Sequence, residues 1–204
     1  MTEKKQTEKK AKSNRRQQIL EVLASMLEQN PGERITTAKL AKQVGVTEAA
    51  LYRHFPSKGK MFEGLLEFVE DSVFSRITKV NNEVEGSIDR LQRILIFVLA
   101  FAEKNPGLCC LIVGGALSGE KPKLRQRAAH FFERLETEIR QVIREAEIRE
   151  HKTLRMTGAS GASLLVLNIE GRIHQYVRTE FKQRPTRGWS GHWPMLAAGL
   201  FQTF

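Results

Sequence analysis

Residues 46–58 read VTEAALYRHFPSK, setting the hydroxyls of Thr47 and Tyr52, the imidazole of His54 and the cations of Arg53 and Lys58 around a few small apolar side chains. Two kinds of chemistry use such groups. Nucleophilic catalysis needs a nucleophile, a base and a group that orients the base, and His54 has no carboxylate or serine partner at a fixed local spacing. Docking on a polyanion needs less. Thr and Tyr hydroxyls and a His ring hydrogen-bond phosphates or base edges, and Lys58, one turn into the next helix, sits where its charge and nearby backbone N–H groups meet a phosphate. The stretch therefore reads as a DNA-docking surface without catalytic residues. His130, His151, His174 and His192 stand singly without HExxH-type spacing, and Gly114, Gly115 and Gly119 form no phosphate loop, so neither metal nor cofactor is expected.

Short, well-capped helices must hold this surface. Thr36 or Thr37 caps AKLAKQV, Gly45 offers a left-handed turn residue, and Thr47 caps EAALYRHF before Phe55-Pro56-Ser57 ends it. Two short helices joined at Gly45 make a helix-turn-helix. Within the second, Ala49, Ala50 and Leu51 are expected toward the core and Thr47, Glu48, Tyr52, Arg53 and His54 outward, with Phe55 locking the helix in place. A first amphipathic helix precedes them, with Ile19, Leu20, Leu23, Ala24, Met26 and Leu27 at helical spacing until Asn30-Pro31-Gly32.

Downstream, Ser57 caps a long helix with a broad apolar stripe from Met61 to Ile77, in which Phe68 takes part. Further helical patterns cover residues 88–103, 108–117, 123–150, 160–181 and 193–204, and Phe97 fits the apolar face of the first of these. No run alternates with period two. The fold expected is all-α with about nine helices: a disordered basic arm over residues 1–14, a helix-turn-helix domain over 15–57 and a helical bundle over 58–204.

Composition agrees with a polyanion-binding domain. The 204 residues carry a formal charge of +10 and a pI near 9.9, and 41% hydrophobic content is enough for a sizeable core. Cys109 and Cys110 are sequence neighbours, awkward for a disulfide and without metal-ligand spacing, and are expected as reduced core thiols of a cytosolic protein. No apolar run follows the N-terminal charges, so no secretory signal is expected. The greasiest segment, residues 94–102, falls far short of the roughly 20 residues of a membrane span.

The block ITTAKLAKQVGVTEAALYRHFPSKGKMF, with its specific YRHFPSK signature, resembles the DNA-binding module of the tetracycline-repressor (TetR) family. That family joins three N-terminal helices to a helical dimerisation and regulatory domain. Further matches, NRRQQIL, FAEKNPGL, FFERLETEIRQVIRE, VRTEFKQRP and HWPMLAA, carry the resemblance over nearly the whole chain to the nucleoid-occlusion branch of the family.

This resemblance implies a cytoplasmic, nucleoid-associated homodimer on pseudo-palindromic double-stranded DNA, with two dimers on one site in many cases. When bound, it antagonises polymers of the division protein FtsZ. The resemblance further implies DNA contacts from Thr36, Thr37, Lys39, Thr47, Glu48, Ala49, Tyr52, His54 and Lys58, and a dimer interface around residues 164–181 and 193–204. It implies an FtsZ surface at Phe68, Arg76, Phe97, Ala100, Lys104 and Asn105, where Ala100 replaces a usual glycine and Lys104 a usual arginine. A ligand-responsive repressor is the alternative, with a small apolar molecule among Leu65, Val69, Phe97, Phe101, Leu117, Phe131 and Leu165.

Overall fold

The computed structural model describes the backbone of residues 2–202 and the side chains of residues 14–202. Among these residues the chain forms nine α-helices and one 3-10 turn, with a single isolated β-bridge between Leu154 and Phe201. The all-α expectation is met.

Helix α1 spans Thr2–Gln29. The arm expected over residues 1–14 is thus not irregular: Met1 lies outside the described residues, and the backbone of the rest continues into α1. Lys, Glu, Gln and Ala are good helix formers, and the sequence offers neither Gly nor Pro until Pro31. Helices α2 (Thr37–Val44) and α3 (Glu48–His54) follow, then the 26-residue α4 (Lys58–Glu83), about 39 Å long at 1.5 Å per residue. The head formed by α1–α3 packs α2 and α3 against α1.

The body continues with α5 (Ser87–Lys104), α6 (Pro106–Ile112), the 3-10 turn Gly115–Leu117, α7 (Pro122–Arg149), α8 (Gly158–Arg178) and α9 (Trp189–Leu200). Helix α6 lies directly on α1, tying body to head. Gly107 makes this possible: a Cβ there would stand 2.0 Å from the Ala24 carbonyl oxygen, so only glycine permits the approach. The buried apolar side chains of head and body, from Ile19 and Leu51 to Ile139 and Leu165, form one contiguous core.

Several boundaries differ from expectation: the segment expected over 108–117 is α6 and a separate 3-10 turn, and α8 ends at Arg178 rather than at residue 181. Helix α8 starts at Gly158, where Thr157 accepts a hydrogen bond from the Ser160 N–H at 3.1 Å. Helix α9 starts at Trp189 rather than Trp193, after Gly188 at φ 70°, and continues through Pro194. Trp189 and Trp193 stack in the core 6.0 Å apart, and this burial outweighs the breaking tendency of Gly191 and Pro194. After α9 the Gln202 N–H donates to the Thr153 carbonyl at 2.9 Å, strapping the chain end to the α7–α8 connection. Residues 203–204 of the expected last segment lie outside the described residues.

Cys109 and Cys110 are both buried and unbridged. Burial pushes the Cys109 thiol far up and the Cys110 thiol to about 11, so neither is a thiolate at neutral pH. Among the described residues no single helix is long and apolar enough to cross a membrane, and the chain bends by 110° between α5 and α6.

Candidate nucleic-acid interface

Caps build the reading surface. The Thr36 hydroxyl accepts from the Lys39 N–H at 3.2 Å, settling Thr36 rather than Thr37 as the cap of α2. Gly45, at φ 75°, closes α2, with the Val46 N–H returning to the Ala41 carbonyl at 3.0 Å. The Thr47 hydroxyl accepts from the Ala50 N–H at 3.2 Å and starts α3. Leu40, Ala41 and Val44 of α2, with Leu51 and Phe55, turn into the core.

The remaining side chains face outward. Glu48, Tyr52 and Arg53 are exposed, and His54, the last residue of α3, is half-buried. Ala49 is exposed, whereas the helical pattern placed it toward the core; seven residues give α3 room for one anchoring leucine, and Ala49 falls on the opposite side. The Thr37 hydroxyl donates to the Glu48 carboxylate at 2.6 Å, and the Tyr52 hydroxyl lies 3.5 Å from Thr37, so α2 and α3 present one hydrogen-bonded polar face. Lys39, also exposed, reaches Glu33 at 3.3 Å.

Lys58 behaves differently from the expected outward phosphate contact. Its Nζ donates to Glu120 at 2.7 Å and to the Ile35 carbonyl at 3.1 Å, and it stands 5.5 Å from the centre of the Phe62 ring. Its side chain is only 20% exposed and that of Glu120 15%. Arg16 is a contributor that sequence spacing did not single out: it lies 4.3 Å above the Phe55 ring and donates to the His54 carbonyl at 3.5 Å, clamping the end of α3. It is separated from His54 by 38 positions, so no local pattern marks it.

The second set of residues falls on a ridge made by α4 and α5. Phe68 is 43% exposed despite its place in an apolar run. Arg76, two turns further on, has its guanidinium 6.0 Å from the centre of the half-buried Phe97 ring. Ala100 and Lys104 succeed Phe97 along α5, and Asn105 donates from Nδ2 to the Phe101 carbonyl at 2.7 Å, ending that helix. A cleft of about 300 Å³ brings Phe68, Lys104 and Asn105 together with Leu20, Glu21 and Glu28 of α1. One wall thus belongs to the head.

A third feature lies on α8 and α9, where Leu164, Leu167 and Met195 are 43%, 62% and 76% exposed. Of the other apolar side chains of these segments, Tyr176, Trp193 and Leu200 are buried and Phe181 and Leu196 partly so. The residues expected to line a small-molecule cavity pack otherwise. Leu65, Val69, Leu117, Phe131 and Leu165 are buried in the contiguous core, with Phe97 and Phe101 against it.

A capped helix-turn-helix carried on a single helical core defines a DNA-binding protein of the TetR class. Residues 19–65 match the profile of the bacterial regulatory proteins of the tetR family, and residues 85–201 match that of the tetracyclin repressor-like C-terminal domain. The chain belongs to the family of the nucleoid occlusion factor SlmA. It is 53% identical to that factor from Marinomonas sp. (strain MWYL1) over 93% of this chain and 96% of the relative. It is 52% identical to the one from Marinobacter nauticus over 93% and 97% respectively. The fold is also similar to the fatty acid degradation regulator FadR from Bacillus halodurans, with a TM-score of 0.78 at 14% identity over 91% of this chain and 95% of that one. A TetR transcription regulator from Haloarcula marismortui gives 0.78 at 17% identity over 93% and 100%.

Proposed function

We propose that this protein is a nucleoid occlusion factor that, bound to pseudo-palindromic chromosomal sites, antagonises FtsZ assembly and so blocks division over the nucleoid. The observation that carries the reading is the cleft between α1 and the α4–α5 ridge: a partner seated against Phe68, Lys104 and Asn105 touches the same helix that supports α2 and α3. DNA and partner surfaces therefore share α1. Arg76, Phe97 and Ala100 extend the partner surface along the ridge.

In this reading residues 15–57 dock in the major groove and residues 58–204 carry dimerisation and the division-protein surface. Thr47, Glu48, Ala49 and Tyr52 meet base edges, a carboxylate such as that of Glu48 accepting from a cytosine amino group. Thr36, Thr37, Lys39 and His54 position the head on the backbone, and Lys58 adds a phosphate contact. Two protomers join through the exposed Leu164, Leu167 and Met195, which sets two α3 helices roughly 34 Å apart for successive major grooves. Two such dimers on one site would concentrate partner surfaces near the polymer.

The test is sedimentation of purified FtsZ polymers with GTP in the presence of this protein, comparing a duplex carrying a site selected from the chromosome with a scrambled duplex. Loss of polymer with the selected duplex alone is expected. Unchanged polymer in both arms, with duplex binding intact, would overturn the reading.

A further inference from the structure

Lys58 is held by two parts of the molecule that are far apart in the chain. Ile35, whose carbonyl it binds, directly precedes the Thr36 cap of α2, so this bond fixes the entry to the helix-turn-helix. Glu120, its ionic partner, belongs to the connection between the 3-10 turn and α7. That connection is itself anchored: the Glu120 N–H donates to the Leu117 carbonyl at 3.0 Å, and Arg125 donates to the Glu120 carbonyl at 3.2 Å. The carboxylate also lies against the first turn of α4, with Oε2 4.0 Å from where a Cβ on Gly59 would stand.

An ammonium has three donors and here spends two of them, on a carboxylate and a carbonyl, with an aromatic face nearby. A phosphate arriving at the start of α4 meets two obstacles. The cation is already neutralised, and a partly buried negative charge stands beside it. Arg16 is already committed to Phe55 and the His54 carbonyl.

We propose that Glu120 is a positioning residue that sets DNA affinity through Lys58: it withholds the lysine in the free protein and yields it to a backbone phosphate on binding. The exchange trades one anion for another on the same ammonium. It costs the free-state ion pair, and it leaves the α6–α7 connection without its tie to the head. Glu120 is thus a brake on DNA binding built into the body. The proposal rests on the reading that the start of α4 faces the DNA backbone.

The test uses the full chain and a duplex carrying a chromosomal site recovered with the protein itself, with affinity measured over a range of KCl concentrations. Glu120→Gln should bind about fivefold more tightly per protomer, the upper end of what solvent-exposed ion pairs contribute. Lys58→Gln should bind more weakly and lower the slope of log K against log salt by about 0.9 per protomer, one phosphate contact each. The double variant should match Lys58→Gln, because Glu120 acts through that lysine.

Wild-type or weaker affinity in Glu120→Gln, with the slope lowered in Lys58→Gln, would overturn the brake and leave the pair a structural bridge. An unchanged slope in Lys58→Gln would overturn the docking of α4 on DNA and the brake with it. Should Glu120→Gln melt below the assay temperature, Glu120→Asp takes its place. Its shorter reach breaks the 2.7 Å contact while keeping the negative charge beside the phosphate, so a tightening in the same direction but smaller than that of Glu120→Gln is expected.

Discussion

The head and the body solve the same problem, holding helices together, by different means. Helices α2 and α3 are 8 and 7 residues long, too short to be stable alone, and bury only a few side chains between them. Hydroxyl caps at Thr36 and Thr47 and the left-handed turn at Gly45 replace the area they lack. Helices α4 and α7 run 26 and 28 residues and bury long apolar stripes, with Arg127 bridging to Glu70 at 2.9 and 3.3 Å. The contrast has a use. A surface meant to read another molecule must keep its polar side chains free of the core, so its stability comes from backbone capping and one or two deep anchors.

The largest expected effect follows from those anchors. Leu51 is fully buried and the only buried residue of α3, so Leu51→Ala should cost about 2–5 kcal/mol and abolish DNA binding. Ile139→Ala removes a comparable side chain from the middle of α7. If the contrast holds, Leu51→Ala loses amide hydrogen-exchange protection in the head while the body stays protected, and Ile139→Ala weakens the body. Equal, chain-wide loss of protection in both variants would break it. Next in size is Gly107→Ala, which drives a Cβ into the Ala24 carbonyl and should destabilise by about 1–3 kcal/mol by prising α6 from α1. A thermal melt indistinguishable from wild type would mean that the head does not lean on α6.

The same contrast explains what could be read before the structure. The helix ends of the head were legible by residue type at Gly45, Thr47 and Ser57, and at the start of α2 down to the pair Thr36 and Thr37. The body was legible as periodicity, with α7 and α5 placed to within a residue. What escaped depends on partners distant in sequence. Phe68 sits in an apolar run and yet is exposed, because the wall it faces is α1, some 40 positions earlier, and leaves a cleft. Lys58 looked like an outward cation because Glu120 comes 62 positions later. Helix α9 started early because Trp189 stacks on Trp193, which no breaker rule anticipates.

Smaller effects separate reading from holding within the head. Thr47→Ala removes a cap worth about 1 kcal/mol and should lower both the melting temperature and DNA affinity. Tyr52→Phe keeps the ring but removes a hydroxyl that is tied only loosely, at 3.5 Å, within the protein. It should weaken binding to a selected duplex by about fivefold, roughly 1 kcal/mol for one hydrogen bond, without moving the melt. A drop in stability as large as that of Thr47→Ala would turn Tyr52 into a structural residue, and the outward face of α3 would need redrawing.

The smallest effect belongs to the body and concerns pH. A hydrogen bond from Arg90 at 2.7 Å, opposed by some burial and supported by Gln141, holds the Glu145 carboxyl below its usual range. A folded pKa below the unfolded one means that the unfolded chain binds the proton more readily, so the contribution is complete above the unfolded value near 4.5. It fades as pH falls through the folded value. Arg90 also donates to the buried Ser87 hydroxyl at 3.0 Å, so the acid limb reports a network that pins the start of α5 to the end of α7. Glu145→Gln should therefore lower the melting temperature at pH 7 and flatten its decline in acid, whereas DNA affinity measured at pH 7 stays at the wild-type value. An unflattened acid limb would assign the decline to other carboxylates, and a loss of DNA affinity would show that the head feels the far end of the body.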